Sequence, residues 1–171
     1  MNQPVAPFAH SAQELEDLIR EKIKPGQPTF FKLGAQLPAQ GRTDTPMAAT
    51  DKMAVVLKTY AAAGENELHA HINEDHTFVV LQGRARFFGP KGEMKTIGLH
   101  EGILLPANTL YWFQAEPGEQ LVMLRVGCAA NDDPDRLARI GGDGKPLDGF
   151  AHGNKQVELI MSDRWFGPTG S

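Results

Sequence analysis

The sequence predicts an all-β protein built as a single antiparallel sandwich or barrel. From Met53 onward, short apolar runs follow one another with no helical pattern between them, which is typical of closely spaced antiparallel strands. Glycine and proline residues stand at the corners between the runs, where turns are needed. No long internal repeat is present, so we expect one such barrel. The predicted strands cover residues 53–61, 68–71, 77–81, 84–88, 94–97, 103–105, 110–114 and 120–126.

The first 50 residues are predicted to add a helix and an edge strand to the barrel. Ser11 and Glu14 match the capping-box pattern, and apolar residues follow at helical spacing until Pro25. This pattern predicts one amphipathic helix over residues 11–24, packed against the outside of the main body. Residues 28–34 are typical of a short strand.

A loop is predicted to follow this short strand and to lead into the barrel core, which we assign to residues 51–127. The loop is indicated by residues that favour turns and interrupt strands. Its charged side chains are expected to be solvated. The turn residues are Pro38, Gly41 and Pro46, and the charged residues are Arg42 and Asp44.

Residues 128–171 are predicted to form a C-terminal extension of the same domain. We expect a long surface connection over 128–153, with a helical turn or two at 135–140, because this stretch is polar and rich in glycine. Residues 157–161 are predicted to add an edge strand. The Trp165-Phe166 tail is expected to cover one end of the barrel or a partner subunit.

Composition favours a globular protein that binds a small molecule. The 171-residue chain carries a net charge of -4, which gives no basic patch suited to nucleic acid or an anionic membrane. No apolar run approaches the roughly 18 residues of a membrane span, and the first ten residues lack a signal-peptide pattern. We therefore expect a cytoplasmic protein. The single cysteine, Cys128, excludes an intramolecular disulfide and a multi-cysteine metal site.

Three of the six histidines lie within eight residues, at positions 69, 71 and 76. His69 and His71 are two residues apart, so on a strand both imidazoles leave the same face. A turn through 72–75 would fold the chain back as a hairpin and let His76 add a third nitrogen. This pattern predicts a three-histidine metal site. The remaining histidines are expected to be solvated: His10, His100 and His152.

The histidine stretch resembles the first motif of the cupins, a superfamily of small jelly-roll β-barrels. That motif contains a glycine, a short spacer, His-x-His, a glutamate a few residues later and a glycine after six more residues. Gly64, His69, His71 and Gly83 match this pattern, with six residues between position 76 and Gly83. His76 stands where the family usually has glutamate.

A second segment, residues 102–111, resembles the second cupin motif. Gly102, Pro106 and the turn residue Asn108 match its pattern, and Tyr111 stands where the family usually has its last metal-binding histidine. With the strand pattern on either side, the resemblance covers about residues 53–127. It implies a single cupin (jelly-roll) β-barrel, with the N-terminal helix and the C-terminal extension as additions.

The metal ligands implied are His69, His71 and His76, with alternatives at the third position. A one-residue slip in register would expose His76 and turn Asp75 inward, which leaves Asp75 and Glu74 as carboxylate alternatives. Tyr111 has three possible roles: a phenolate ligand, an acid or base near the metal, or a packing residue. A metal lowers the pKa of a bound phenol from about 10, so a phenolate is chemically reasonable.

The ligand type indicates a divalent transition metal. Three imidazoles without a thiolate suit Fe(II), Ni, Cu, Mn or Zn, and of these we favour Fe(II). Strand alternation places Phe78 and Val80 on the face of His76, and Phe113 on the face of Tyr111. We expect a mostly apolar lining, suited to an aromatic or hydrophobic substrate with a chelating pair of oxygens.

The sequence thus favours a metal-dependent cupin enzyme, a mononuclear non-haem iron dioxygenase acting on a small enolisable or aromatic substrate. Two alternatives stay open because the fold does not fix the function. One is a redox-neutral metal-dependent lyase or isomerase, and the other is a non-catalytic cupin that binds a small ligand. A homodimer is expected, paired through the sheet edge near residues 28–34.

Overall fold

The computed structural model describes residues 6–61 and 66–168. These residues form one α-helix, twelve β-strands and a short 3₁₀ helix, so the all-β fold class is confirmed. Gly64, the first glycine of the histidine motif, lies outside the described residues. The elements are α1 (Ala12–Glu21), β1 (Ala35–Gln40), β2 (Arg42–Ala49), β3 (Met53–Tyr60), β4 (His69–His71), β5 (Glu74–Gln82), β6 (Ala85–Gly89), β7 (Gly92–Ile97), β8 (Gly102–Leu105), β9 (Trp112–Ala115), β10 (Leu121–Ala129), β11 (Arg139–Gly141), the 3₁₀ helix (His152–Asn154) and β12 (Ile160–Phe166).

Two sheets enclose the main core. One has five strands in the order β2-β3-β10-β5-β8, and the other has three in the order β7-β6-β9. All pairings in both sheets are antiparallel. The inward side chains of the two sheets meet in one aromatic-rich cluster that includes Tyr60, Phe78, Phe87 and Phe113. Two smaller pairs, β1-β12 and β4-β11, complete the sheet structure.

The predicted helix is confirmed, although it is shorter than 11–24. The Ser11 side chain accepts a hydrogen bond from the backbone N–H of Glu14, and the Glu14 carboxylate accepts one from the backbone N–H of His10. Leu15 and Leu18 bury the apolar side of α1. They pack with Ala9 and against the C-terminal residues Leu137 and Phe150.

The strand predicted at 28–34 and the loop predicted after it are both wrong. Residues 28–34 lie outside the strands, and β1 and β2 occupy the predicted loop instead. Pro38 lies in the two-stranded β1-β12 pair and Pro46 in β2, an edge strand, and both coincide with irregularities in pairing register. Edge strands and bulges are the places where a sheet tolerates proline, because no ladder hydrogen bond is required there.

The homodimer was predicted to pair through a strand edge near residues 28–34, but these residues form no strand. Residues 28–34 belong to no helix or strand, and Phe30 in this segment is 94% exposed. The homodimer itself stays a prediction.

The C-terminal extension is more ordered than a surface connection. In place of the helical turn predicted at 135–140, the chain enters β11, which pairs with β4. The last strand, β12, runs over Ile160–Phe166 rather than 157–161 and pairs with β1. Trp165 and Phe166 therefore belong to a strand, and Phe166 packs against a buried cluster that includes Leu57 of β3 and Val122 of β10. A contact of this segment with a partner subunit stays a prediction. These strands could not be recognised from local sequence because they are polar. Their pairing partners, which stabilise them, are about 70 or more residues away in sequence.

None of the described helices has the length and apolar character that crossing a membrane requires.

Gly83 is expected to be intolerant of substitution. It forms the turn between β5 and β6 with φ +73°, and a Cβ there would lie 2.6 Å from the backbone oxygen of Gln120. Gly83→Ala should lower the free energy of unfolding by about 2–3 kcal/mol, because a left-handed conformation and a backbone clash are combined. Urea unfolding measures this loss.

Gly118→Ala is the matched control for Gly83. Gly118 has φ +78°, but a Cβ there would meet nothing within 4 Å. It should cost only the conformational part, about 1 kcal/mol. Equal losses at the two glycines would show that the approach of Gln120 is unimportant.

Candidate metal centre

The strand β4 places His69 and His71 inside the molecule. All three of its residues are buried, and it pairs with β11 along one edge. Along the chain segment before β9, Tyr111 forms two backbone hydrogen bonds with His69, of 3.0 and 2.9 Å. Their side chains are therefore neighbours, and the two ring centroids are 4.6 Å apart.

His76 comes to the same place from β5. It is 1% exposed and lies opposite Gly127 of β10 and Leu105 of β8. Its ring centroid is 4.0 Å from that of His71, which in turn is 5.1 Å from that of His69. The structure thus brings together the three histidines named from the sequence.

The predicted hairpin between the two histidine strands is wrong. The partner of β4 is β11, whereas β5 pairs with β10 and β8. The three histidines therefore meet across the interior and not along one ladder.

The two sequence motifs are joined by hydrogen bonds. The backbone N–H of Asn108, a residue with φ +67°, donates to the carbonyl of His71 at 2.8 Å. The Asp75 carboxylate accepts from the backbone N–H of Ala107 at 2.7 Å. Asp75 therefore fixes the loop that follows β8, and it is not one of the inward side chains.

Glu74, the other carboxylate alternative, lies beside the histidines as a hydrogen-bond partner. It is 2% exposed and accepts a 2.9 Å hydrogen bond from Nε2 of His76. Its second oxygen accepts from Arg136, also at 2.9 Å. Burial alone would raise the pKa of Glu74, but His76, Arg125 and Arg136 together hold it below its ordinary value.

Hydrogen bonds define which ring nitrogens are available. The carbonyl of Glu67 accepts a 2.7 Å hydrogen bond from Nδ1 of His69, which leaves the lone pair of that ring on Nε2. Because Nε2 of His76 donates to Glu74, the lone pair of His76 is on Nδ1. That Nδ1 is buried without a hydrogen-bond partner among the described residues, as is Nδ1 of His71.

The three imidazoles are held in their neutral form. Burial, followed by the charge of Arg139, lowers the pKa of His69 to about 3. Burial is also the main cause that lowers the pKa of His76 to about 4 and places the pKa of His71 well below its ordinary value. Neutral imidazole is the form that ligates a metal ion.

Tyr111 is a buried phenol. It is 2% exposed, and burial raises its pKa above the ordinary value of 10.0. Its ring lies near His69 and belongs to the aromatic cluster with Phe78 and Phe87. As placed, Tyr111 combines the packing role with a position beside the histidines.

The comparisons with known proteins concern the fold. No family model matches the sequence, and no curated protein matches it. Solved structures do match, each at low identity. In fold, the chain is similar to cupins.

Three of these matches illustrate the range of identity and coverage. A cupin domain of Cnp3 from Schizosaccharomyces pombe has 11% identity and a TM-score of 0.48, covering 52% of this chain and 61% of that one. KdgF from Halomonas sp. has 17% identity and a TM-score of 0.46, and the match covers 52% of this chain and 81% of KdgF. An RmlC-like cupin from Shewanella frigidimarina has 14% identity and a TM-score of 0.46, and the match covers 65% of this chain and 93% of that cupin. The chain thus spans less than two thirds of the yeast domain, and none of these similarities carries an argument about function.

The lining of the interior combines the predicted apolar residues with charged ones. Phe78, Val80 and Phe113 are inward and buried, as alternation requires. The interior cluster is mostly apolar, but the inward face of the five-stranded sheet also carries charged side chains, which the sequence reasoning did not place there. They are Asp44 of β2, Lys58 of β3 and Arg125 of β10.

Asp44 and Lys58 form a buried ion pair at 2.5 Å. Burial lowers the pKa of Lys58 to about 8, although the charge of Asp44 opposes this change. Burial would raise the pKa of Asp44, but Lys58 holds it below its ordinary value. The expectation that Asp44 is solvated is therefore wrong. It is also wrong for Arg42, whose guanidinium donates to the carbonyls of Gly149 and Asn154.

The other three histidines are exposed, as expected from the sequence. They are His10, His100 and His152.

Among the described residues, no group of three or more histidine, cysteine, aspartate or glutamate side chains is arranged to hold a metal ion as placed. The donor set of the cluster nevertheless suits one. His71 and His76 each have a buried nitrogen without a hydrogen-bond partner, and His69 and His76 each donate from their other nitrogen to an oxygen. Such outer hydrogen bonds commonly orient metal-binding histidines.

Proposed function

We propose that the protein is a metal-dependent cupin enzyme, a mononuclear non-haem iron dioxygenase acting on a small enolisable or aromatic substrate. One observation carries the proposal. Three buried, neutral histidines converge from β4 and β5, and two of them have a ring nitrogen with no hydrogen-bond partner in the described part of the chain. An unpaired buried polar atom costs free energy, so its presence calls for a ligand.

His69, His71 and His76 would hold the metal. When bound, Fe(II) would supply Lewis-acid and oxygen-activating chemistry. The Glu67 carbonyl and the Glu74 carboxylate would orient two of the rings through the hydrogen bonds that they already accept.

Tyr111 would act on the substrate. Because burial keeps its phenol protonated, the hydroxyl can donate a hydrogen bond or a proton to a substrate oxygen beside His69. Phe78 and Phe113 would keep water away from the reacting atoms, since both are 1% exposed.

A redox-neutral lyase or isomerase is the second candidate, and the state of Lys58 favours it. A buried lysine with a pKa of about 8 is near the range in which enzymes use lysine as an acid or base. Lys58 shares the inward face of the five-stranded sheet with Arg125, and its charge acts on His69. Together with protonated Tyr111, it would supply acid and base groups without oxygen.

Metal content and oxygen uptake test the proposal. The full chain, loaded anaerobically with Fe(II), should retain close to one equivalent after desalting. It should then consume oxygen with acetylacetone or catechol faster than the same protein loaded with Zn(II), because Zn(II) has no redox chemistry. An oxygen electrode measures the rate.

The outcomes separate the candidates. Metal retention without oxygen uptake on any β-diketone or hydroxylated aromatic would favour the lyase or isomerase. Failure to retain Fe(II), Ni(II) and Zn(II) alike would leave the non-catalytic, ligand-binding cupin.

A further inference from the structure

The interior holds a buried guanidinium that the proposed metal chemistry does not use. Arg125 lies in the middle of β10 and is 2% exposed. Its Nε and Nη2 are buried without a hydrogen-bond partner among the described residues. A guanidinium left in this state is costly, because a buried charge is normally paired and hydrogen-bonded.

Arg125 is close to the histidine cluster. In the ladder between β10 and β5, Arg125 is opposite Phe78 and Gly127 is opposite His76. Residues two apart on a strand share a face, so Arg125 and His76 are diagonal neighbours on the inward side. The charge of Arg125 contributes to the low pKa of His76, in agreement with this position.

The buried carboxylates of the described residues are already engaged. Asp44 forms an ion pair with Lys58, and Glu74 accepts hydrogen bonds from Arg136 and His76. They are the only acidic residues classed as buried in the described part of the chain. Although both lie within electrostatic range of Arg125, neither hydrogen-bonds to it. Residues 6–61 and 66–168 therefore supply no buried carboxylate that hydrogen-bonds this guanidinium.

A second guanidinium also acts on the cluster. Arg139 of β11 is the cross-strand partner of His71, and its charge lowers the pKa of His69 and His71. Its guanidinium lies over Gly149, where an added Cβ would be 2.6 Å away. Arg139 also lines a cavity of about 400 Å³ beneath α1. The charges of both Arg125 and Arg139 thus act on the histidines.

We propose that Arg125 binds the carboxylate of the substrate, which makes the substrate a small organic acid. The two unpartnered donors, Nε and Nη2, form one edge of the guanidinium, and two parallel N–H groups on such an edge match the two oxygens of a carboxylate. A carboxylate held there would present the rest of the molecule to the histidine cluster and Tyr111. Arg139 adds a second positive charge that acts on the histidines. The assignment of this anion as a substrate rests on the proposed function.

Binding of an isosteric pair of probes tests the proposal. Benzoate and benzamide have the same shape but differ in charge, and acetate and acetamide form a smaller pair. Isothermal titration of the full metal-free chain should give a Kd for a carboxylate at least about tenfold lower than for its amide. In Arg125→Met this preference should disappear, whereas the control Arg86→Met should keep it, since Arg86 is partly exposed and pairs with Glu93 and Glu116.

A second variant guards against loss of the fold. Arg125→Lys keeps the charge but removes the two-donor edge, so the Kd of the carboxylate should rise about tenfold or more while amide binding stays the same. Near-ultraviolet circular dichroism checks that each variant is folded. Equal affinity of the wild type for the acid and the amide would overturn the proposal. Unchanged acid binding in a folded Arg125 variant would overturn it as well.

This test is independent of the metal. Carboxylate binding to Arg125 with no retention of Fe(II) would contradict the proposed function alone. Retention of Fe(II) with no preference for the carboxylate would contradict the role of Arg125 alone.

Discussion

Replacing His71 with alanine is expected to abolish metal binding. His71 is the central ring of the cluster, with one neighbour at 4.0 Å and the other at 5.1 Å, and its Nδ1 has no hydrogen-bond partner among the described residues. Removing one of three imidazole ligands should weaken affinity by more than the roughly 10–100-fold that accompanies loss of an outer hydrogen bond. Competition with a chromogenic chelator measures the change in Fe(II) or Zn(II) affinity.

Two further variants calibrate the effect of His71→Ala. His100→Ala removes an exposed histidine and should leave metal affinity unchanged. Glu74→Gln weakens the hydrogen bond that orients His76 and should reduce affinity by about 10–100-fold, an intermediate loss. Wild-type affinity in a folded His71→Ala protein would place any metal elsewhere in the molecule.

The parts of the fold that could be predicted from sequence are those governed by local pattern. Alternating apolar residues bounded by glycine or proline gave all eight strands expected between residues 53 and 127, with ends that differ by at most three residues. The strands β1, β2, β11 and β12 could not be recognised in this way. They contain prolines or polar residues, and distant partners stabilise them, such as β12 for β1 and β4 for β11.

In the candidate site, too, local sequence pattern predicts some residues and not others. The two-residue spacing of His69 and His71 and the position of His76 in a strand pattern suffice to group the histidines. Arg125 was missed because it occurs in an apolar run, where a single cation is easily assigned to the solvent side. Because inward residues on β10 are two apart, alternation with Met123 and Gly127 would have placed Arg125 on the inward face. The partners of Asp44 could not be inferred, because β2 itself was taken for a loop.

Asp44→Asn is expected to cause the largest loss of stability among the variants considered. Asp44 is 8% exposed and pairs with Lys58, which is equally buried, so the change leaves an ammonium without its counter-ion. Breaking a buried pair from one side typically costs about 3–5 kcal/mol. Urea unfolding at neutral pH measures the loss. The matched control is Asp132→Asn, which breaks an exposed pair with Lys52 and should cost less than about 1 kcal/mol.

The double variant Asp44→Asn with Lys58→Met distinguishes the attraction between the two charges from the cost of desolvating them. Removing both charges also removes their desolvation cost, so most of the stability lost in Asp44→Asn should return. A double variant as unstable as the single one would mean that Asp44 acts through other cations, and the charges of Arg42 and Arg125 both reach it. Recovery of stability would instead show that the ion pair is not required for folding. The net charge around Arg125 is unchanged in the double variant, so carboxylate binding should survive there while acid–base chemistry that uses Lys58 should not.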